Sequence, residues 1–234
     1  VKQESYQVIY DRACERKGGE RALETLLAKP LSPARLQRIP DDRYLAELTR
    51  KVFQSGFVWR VVDQKWQDFE EVFWGFDIEK LLMMPDDMLE RKATDPKIIR
   101  HLRKVWSIRD NALMISDVAR EHGSFGQFIA QWPEENIVGL WMYLKKHGSR
   151  LGGNTGPYAL RAIGKDSFLL TRDIEGYFRA MKIIDGSVSS QKSLKAIQGF
   201  FNQLHDSSGR SYTELSQLLA FGVGENRVQA EVTN

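Results

Sequence analysis

Cysteine is almost missing from this sequence: Cys14 stands alone among 234 residues. An internal disulfide and a cysteine-rich zinc site are thereby excluded, and a reducing, cytoplasmic setting is expected. Histidine is nearly as scarce. His101, His122, His147 and His205 are scattered, without the H-E-x-x-H spacing of a zincin-type metalloprotease. No apolar run approaches the ~20 residues of a membrane span, and no signal-peptide core follows the N-terminus. The chain opens at Val1 without methionine, so a residue or two is expected to precede it. Charge of one sign is lacking too. Lys and Arg number 34 against 31 Asp and Glu, a net of +3, which excludes gripping nucleic acid by bulk charge alone. With 42% apolar and 28% charged residues, the body is that of an ordinary globular protein.

The strict alternation of half-buried strands is also absent, and what remains reads as helix almost throughout. Pro40-Asp41-Asp42 precedes Tyr44, Leu45, Leu48 and Val52 at helical spacing. Asp95-Pro96 opens a long stretch in which Ile98, Leu102, Val105, Ala112, Ile115 and Ala119 share one face, ended by Gly123. Ser124 caps the next helix, Pro133-Glu134-Glu135 opens a segment over 137–146, and Thr155-Gly156-Pro157 starts another. Helices over 192–204 and 212–221 follow a Gly/Ser turn. The expected organisation is an N-terminal arm (1–39), a helical body (40–185), a C-terminal helical pair (186–225) and a frayed tail (226–234).

The segment richest in chemical information runs from Leu144 to Tyr158. A helix ending in Lys145 and Lys146 meets a turn containing Gly148, Arg150, Gly152 and Gly153, and a second helix begins near Thr155. Glycines let the backbone approach another molecule closely, and a helix N-terminus presents N–H groups to an anion. A Walker A loop would need Gly-Lys-Ser/Thr, and Asn154-Thr155 lacks that lysine. Two readings stand: a grip on a nucleic-acid phosphate without base reading, or a plain turn between antiparallel helices.

Gly148 to Gly156 resembles the hairpin of the helix-hairpin-helix DNA glycosylases. Three further blocks, in order, resemble the 3-methyladenine DNA glycosylase I family. Phe53-Gln54-Ser55-Gly56-Phe57-Val58-Trp59, with Phe73, Phe76-Asp77 and Lys80, is similar to its Q-A-G-L-S-W…F…F-D-x-x-K block. Ile98-Ile99-Arg100-His101 with Lys104, Asn111 and Ala112 is similar to I-I-R-H-x-x-K…N-A. Leu144-Lys145-Lys146 with Gly148, Gly153, Tyr158 and Gly164 is similar to L-K-K-R-G…G-T-T…Y…G. The resemblance covers about residues 44 to 175.

It implies an all-α fold of two helical lobes with a cleft between them, and a monofunctional DNA glycosylase of base-excision repair. The enzyme flips an alkylated purine, foremost 3-methyladenine, out of double-stranded DNA and hydrolyses its bond to C1′. A cationic base held against aromatic faces is already a good leaving group. Trp59 falls at the family's stacking tryptophan, with a core anchor as the other reading. Tyr10 or Tyr6 matches an N-terminal pocket tyrosine, or simply packs the arm. Phe57 is a wedge for the gap left by the flipped base, or a core residue. Lys145, Lys146, Arg150, Thr155 and Lys165 add to the backbone of Gly148, Gly152 and Gly153 in holding DNA. No cofactor, membrane or obligate protein partner is expected.

The departures are as informative. The family places a base-reading glutamate eight residues before the tryptophan, where this chain has Lys51. Glu47, one turn earlier, and Gln54, one turn later, are the alternative acceptors, although Glu47 and Lys51 are also spaced as an i,i+4 ion pair. The family's zinc ligands correspond to Asp11 and Asp173, so no zinc is expected. The aspartate of the wider superfamily falls at Thr171, and Asp173 is either a carboxylate for the reaction or the N-cap of a helix over 174–181. Ser149 and Arg150 replace the nucleophilic lysine of bifunctional members, so β-lyase chemistry is not expected. A DNA-binding protein of the same fold without hydrolysis, and a helical interaction domain, are the rival readings.

Overall fold

The computed structural model describes residues 3–224, so the tail expected at 226–234 lies outside the described residues. Among the described residues every regular element is helical. The chain divides into two units, one of 3–30, 133–138 and 166–224, the other of Leu31–Trp132 with Gly139–Lys165. Residues 166–185, which the sequence groups with the body, thus fall in the unit that also holds the C-terminal helical pair and the arm up to Pro30, while 31–39 of the arm fall in the second unit.

The second unit is organised by the helix Asp41–Gln54, which packs against Leu102–His122 and Thr155–Ile163. Its first turn carries Asp41 and Asp42, whose charges suit the positive end of the helix dipole. Its apolar stripe, Tyr44, Leu45, Leu48 and Val52, is wholly buried. Asp41 Oδ1 accepts the backbone N–H of Phe125 at 3.0 Å, tying two helix N-termini together. Gly126 is needed at that crossing, because a Cβ there would lie 2.9 Å from the Leu36 carbonyl oxygen. Beneath the same helix, Trp66 stacks on Phe69 and Phe76 at 5.3 and 5.4 Å. Phe53, Phe69, Phe73 and Phe76 are fully buried, each contributing roughly 1.5–3 kcal/mol of transfer energy.

The long helix expected directly after Asp95-Pro96 begins instead at Leu102. His101 supplies the cap: its Nδ1 accepts the Lys104 N–H at 3.2 Å. Residues 95–98 form a turn, in which Asp95 Oδ1 accepts the Lys97 N–H at 2.9 Å. Lys65 pins that turn by donating to the carbonyls of Pro96 and Lys97. Ile98 is buried as its hydropathy requires, but from a turn rather than a helix.

In the first unit, Tyr6–Lys17 packs along Tyr212–Gly222, and Gln191–Ser208 completes the core around Phe168, Phe178 and Phe201. Ser211 and Glu214 form a reciprocal capping box at the start of Tyr212–Gly222. Asp166 Oδ1 accepts the Thr213 N–H at 2.7 Å on the same helix end. Arg210 joins the arm to the C-terminal pair, donating to Glu24 Oε2 at 2.9 Å and Glu214 Oε1 at 3.0 Å. The cap of Arg172–Ala180 is Thr171, whose Oγ1 accepts the Ile174 N–H at 3.3 Å. Asp173, read from the sequence as that cap or as a carboxylate for the reaction, lies within the first turn and is exposed. Thr171 wins the position because its backbone is extended there and its short hydroxyl reaches the third helical N–H.

Candidate functional site

The hairpin segment from Leu144 to Tyr158 lies wholly within the second unit. The helix Ile137–His147 buries Leu140, Trp141 and Leu144 and ends in Lys145, Lys146 and His147, all three exposed at its negative end. Gly148 then leaves the helix through a space no side chain could occupy. A Cβ there would lie 2.5 Å from Leu151 Cδ1 and 2.8 Å from the Leu144 carbonyl oxygen. Leu151 is buried as the plug of the turn, and its carbonyl accepts the Gly156 N–H at 3.2 Å. Arg150 takes the left-handed conformation with φ 62°, as does Gly153 with φ 60°. Both are exposed, so the outer edge of the turn is basic backbone open to a partner.

The turn is fixed from inside by Asn111 of the Leu102–His122 helix. This fully buried amide accepts the Ser149 N–H at 2.7 Å and donates to the Ser149 carbonyl at 3.1 Å. Sequence reasoning placed Asn111 in a motif without giving it this task.

The second component grows from the C-terminal end of Asp41–Gln54. Glu47, Lys51 and Gln54 succeed one another at i, i+4 and i+7, and so share one face. Lys51 Nζ lies 3.3 Å from Glu47 Oε1 and donates to Gln54 Oε1 at 2.9 Å. Gln54 in turn donates to Asp63 Oδ1 at 2.9 Å. The Glu47–Lys51 pair is no surface pair, since the two side chains are 19% and 13% exposed. Gly56, with φ 68°, turns the chain after the helix, and Phe57 and Trp59 emerge 45% and 47% exposed. The core-anchor reading of Trp59 and the core-packing reading of Phe57 therefore fail. Trp59 meets Tyr158 edge to face, with ring centroids 5.5 Å apart and planes at 90°. Lys51 Nζ lies over the same indole, 5.0 Å from its centroid. Burial raises the Tyr158 hydroxyl above its ordinary pKa, against the nearby charge of Arg161.

A cavity of about 300 Å³ adjoins both components, lined by Val52, Ser55, Lys104, Arg150, Gly152 and Thr155. Lys104 is buried there and donates to the carbonyls of Ser55 at 2.8 Å and Phe53 at 3.2 Å, capping the helix end that leads to Trp59. Burial, and then the charge of Arg150, lower its pKa. Lys104 and Tyr158 belong to motifs the sequence displays, but their places beside Arg150 and Trp59 depend on three separate helices.

Among the expected site residues, the structure gathers Glu47, Lys51, Gln54 and Trp59, and it lines one cavity with Arg150, Gly152 and Thr155. Lys165 corrects the expectation that it holds DNA. It is fully buried, and its Nζ donates to the Trp132 carbonyl at 2.5 Å, so its charge serves the interior. Tyr10 and Asp173 belong to the first unit. The Tyr10 hydroxyl donates to Glu24 Oε1 at 2.9 Å, and burial followed by that bond raises its pKa. Asp11 accepts from the Gln7 amide at 2.7 Å, and no three His, Cys, Asp or Glu side chains converge among the described residues. The described residues do not fit a zinc ion.

The methyladenine glycosylase family model matches residues 37–160, which span the Trp59 segment and the hairpin. Two solved structures share the fold. A single-residue variant of 3-methyladenine DNA glycosylase I, in complex with 3-methyladenine, aligns at 22% identity and a TM-score of 0.51, over 62% of this chain and 85% of that one. The Staphylococcus aureus 3-methyladenine DNA glycosylase I aligns at 23% identity and a TM-score of 0.50, over 59% and 80%. No curated protein sequence matches the chain. The family match covers more than half of the residues, so the chain belongs to the methyladenine glycosylase family, the DNA glycosylases of base-excision repair that hydrolyse N-glycosidic bonds.

Proposed function

We propose that this chain removes alkylated purines from double-stranded DNA by a monofunctional, water-dependent mechanism, with Trp59 as the platform for the flipped base. One observation carries the reading. Nearly half of the Trp59 surface is open although the ring is braced by Tyr158, and this indole belongs to the same unit as the clamped hairpin. A large aromatic face held rigid yet left uncovered suits stacking on a base. The hairpin backbone from Gly148 to Gly153, with Lys145, Lys146 and Arg150, grips the phosphates without reading sequence. Phe57, exposed beside Gly56, fills the space the base leaves.

In the reaction the bond between C1′ and the base nitrogen breaks, and its electron pair stays with the base. A water oxygen adds to C1′ and gives up its proton, leaving an abasic sugar. Glu47 supplies negative charge near the Trp59 site, where positive charge builds on the sugar. The lesion that the family assignment and its 3-methyladenine-bound relative put first is 3-methyladenine.

Abasic-site formation on duplex DNA carrying both cationic and uncharged alkylated purines tests the reading. Wild type should release bases well above buffer, and Trp59→Ala should lower release by about tenfold or more while its thermal unfolding stays near wild type. DNA binding without any release would favour the rival protein that binds but does not hydrolyse. A Trp59→Ala chain that releases bases as fast as wild type would remove Trp59 from the site.

A further inference from the structure

The side chain best placed to choose among bases at the Trp59 platform is Lys51. Its ammonium lies 5.0 Å from the centroid of the indole. The position is built. Nζ donates to Gln54 at 2.9 Å, Gln54 is itself held by Asp63, and Glu47 lies 3.3 Å away. With 13% of its side chain exposed, Lys51 has little room to swing clear, whereas Trp59 is 47% exposed.

Two physical consequences follow for whatever stacks on the ring. The ammonium already occupies the attraction that the indole quadrupole offers a cation. A second positive charge a few ångströms away is repelled even in a well-screened environment, and Glu47 offsets only part of that repulsion. The hydrogen-bonding sign matters as well. An ammonium has three donors and no acceptor; Gln54 takes one of them, and Glu47 pairs with the charge from 3.3 Å. An exocyclic amino group would meet a donor with a donor, whereas a carbonyl oxygen would accept one that Gln54 leaves.

We propose that Lys51 makes the Trp59 site selective for uncharged alkylated purines bearing an exocyclic carbonyl, and against cationic adenine lesions. The inference rests on the reading of Trp59 as the base platform, and it moves the preferred lesion away from 3-methyladenine. The lysine donor also assists the chemistry of a neutral base. A departing purine gathers negative charge as it takes the electron pair, and a donor at its carbonyl stabilises that charge.

Two model bases, each with a methyl at N9 in place of the sugar, form the test: cationic 3,9-dimethyladeninium and neutral 1,9-dimethylguanine. Binding is read by calorimetry and by NMR of the Trp59 indole N–H. Wild type should bind the neutral compound about tenfold more tightly or better. Lys51→Met should bring the two affinities together, and Lys51→Glu should reverse their order. Lys51→Met keeps the apolar stem and decides the matter should Lys51→Glu fail to fold. An affinity ratio that is the same in wild type and in both lysine variants, with Trp59→Ala weakening both compounds, would overturn the role of Lys51 alone. If wild type binds neither compound, or Trp59→Ala binds both as wild type does, the platform reading falls together with it.

Discussion

Asn111 holds Ser149 by both ends of its carboxamide, 2.7 Å to the backbone N–H and 3.1 Å to the carbonyl. The contact joins the middle of the longest helix of the second unit to the turn of the hairpin. Asn111→Ala should remove both bonds and leave the Ser149 N–H facing a void. A loss of ~1–3 kcal/mol of stability is expected, with weaker DNA binding because the backbone of the turn is no longer held. Urea unfolding and duplex binding check this. Unchanged values of both would show that the turn keeps its shape without the clamp.

Two glycines of the same turn should respond differently. Gly148→Ala forces a Cβ to within 2.5 Å of Leu151 Cδ1 and 2.8 Å of a backbone oxygen, so the hairpin must shift. A loss of about 2 kcal/mol or more is expected. At Gly153 nothing lies within 4 Å, and only the φ of 60° resists a side chain. Gly153→Ala should cost about 1–2 kcal/mol. If thermal unfolding ranks the two the other way, packing is not what reserves position 148 for glycine.

Basic residues that look alike in the sequence should separate by salt dependence. Lys145→Ala, Lys146→Ala and Arg150→Ala should each lower the slope of log affinity against log salt by about 1. Lys165→Ala should leave that slope untouched and instead destabilise the fold, since its Nζ is the buried donor to the Trp132 carbonyl. A changed slope for Lys165→Ala would place its ammonium at the DNA after all.

Acid should expose the brace of the first unit. Burial opposes the charge of Glu214, but bonds from Lys29, Ser211 and Arg210 outweigh it and hold the carboxyl at about 2, below its ordinary 4.5. A depressed carboxyl binds fewer protons folded than unfolded in that window. Its contribution is therefore fully present above pH 4.5 and is lost as pH falls towards 2. The loss is on the order of 3 kcal/mol. Glu214→Gln should flatten the stability profile between those pH values, measured by denaturant unfolding. An equally steep acid limb in the variant would assign the transition to other groups.

The helical class, the cap at Ser124, the helix start near Thr155 and the glycine turn were legible because they depend on neighbours along the chain. His101 was not legible as a cap: its side chain replaces the usual Ser, Thr, Asp or Asn, and Lys65 pins the turn before it from about thirty residues away. Thr171 and Asp173 are both plausible caps by residue type, and only the backbone angles separate them.

Local pattern and motif thus determined that this chain is a helical glycosylase with a glycine turn between two helices and a tryptophan after a helix end. The tertiary structure decided what each charge does. It buried Lys165 against a carbonyl, set Lys104 on a helix end and laid Lys51 over Trp59. A lysine carries the same charge wherever it is written. Its role follows from the dielectric and the acceptors around its nitrogen, and these come from helices distant in sequence.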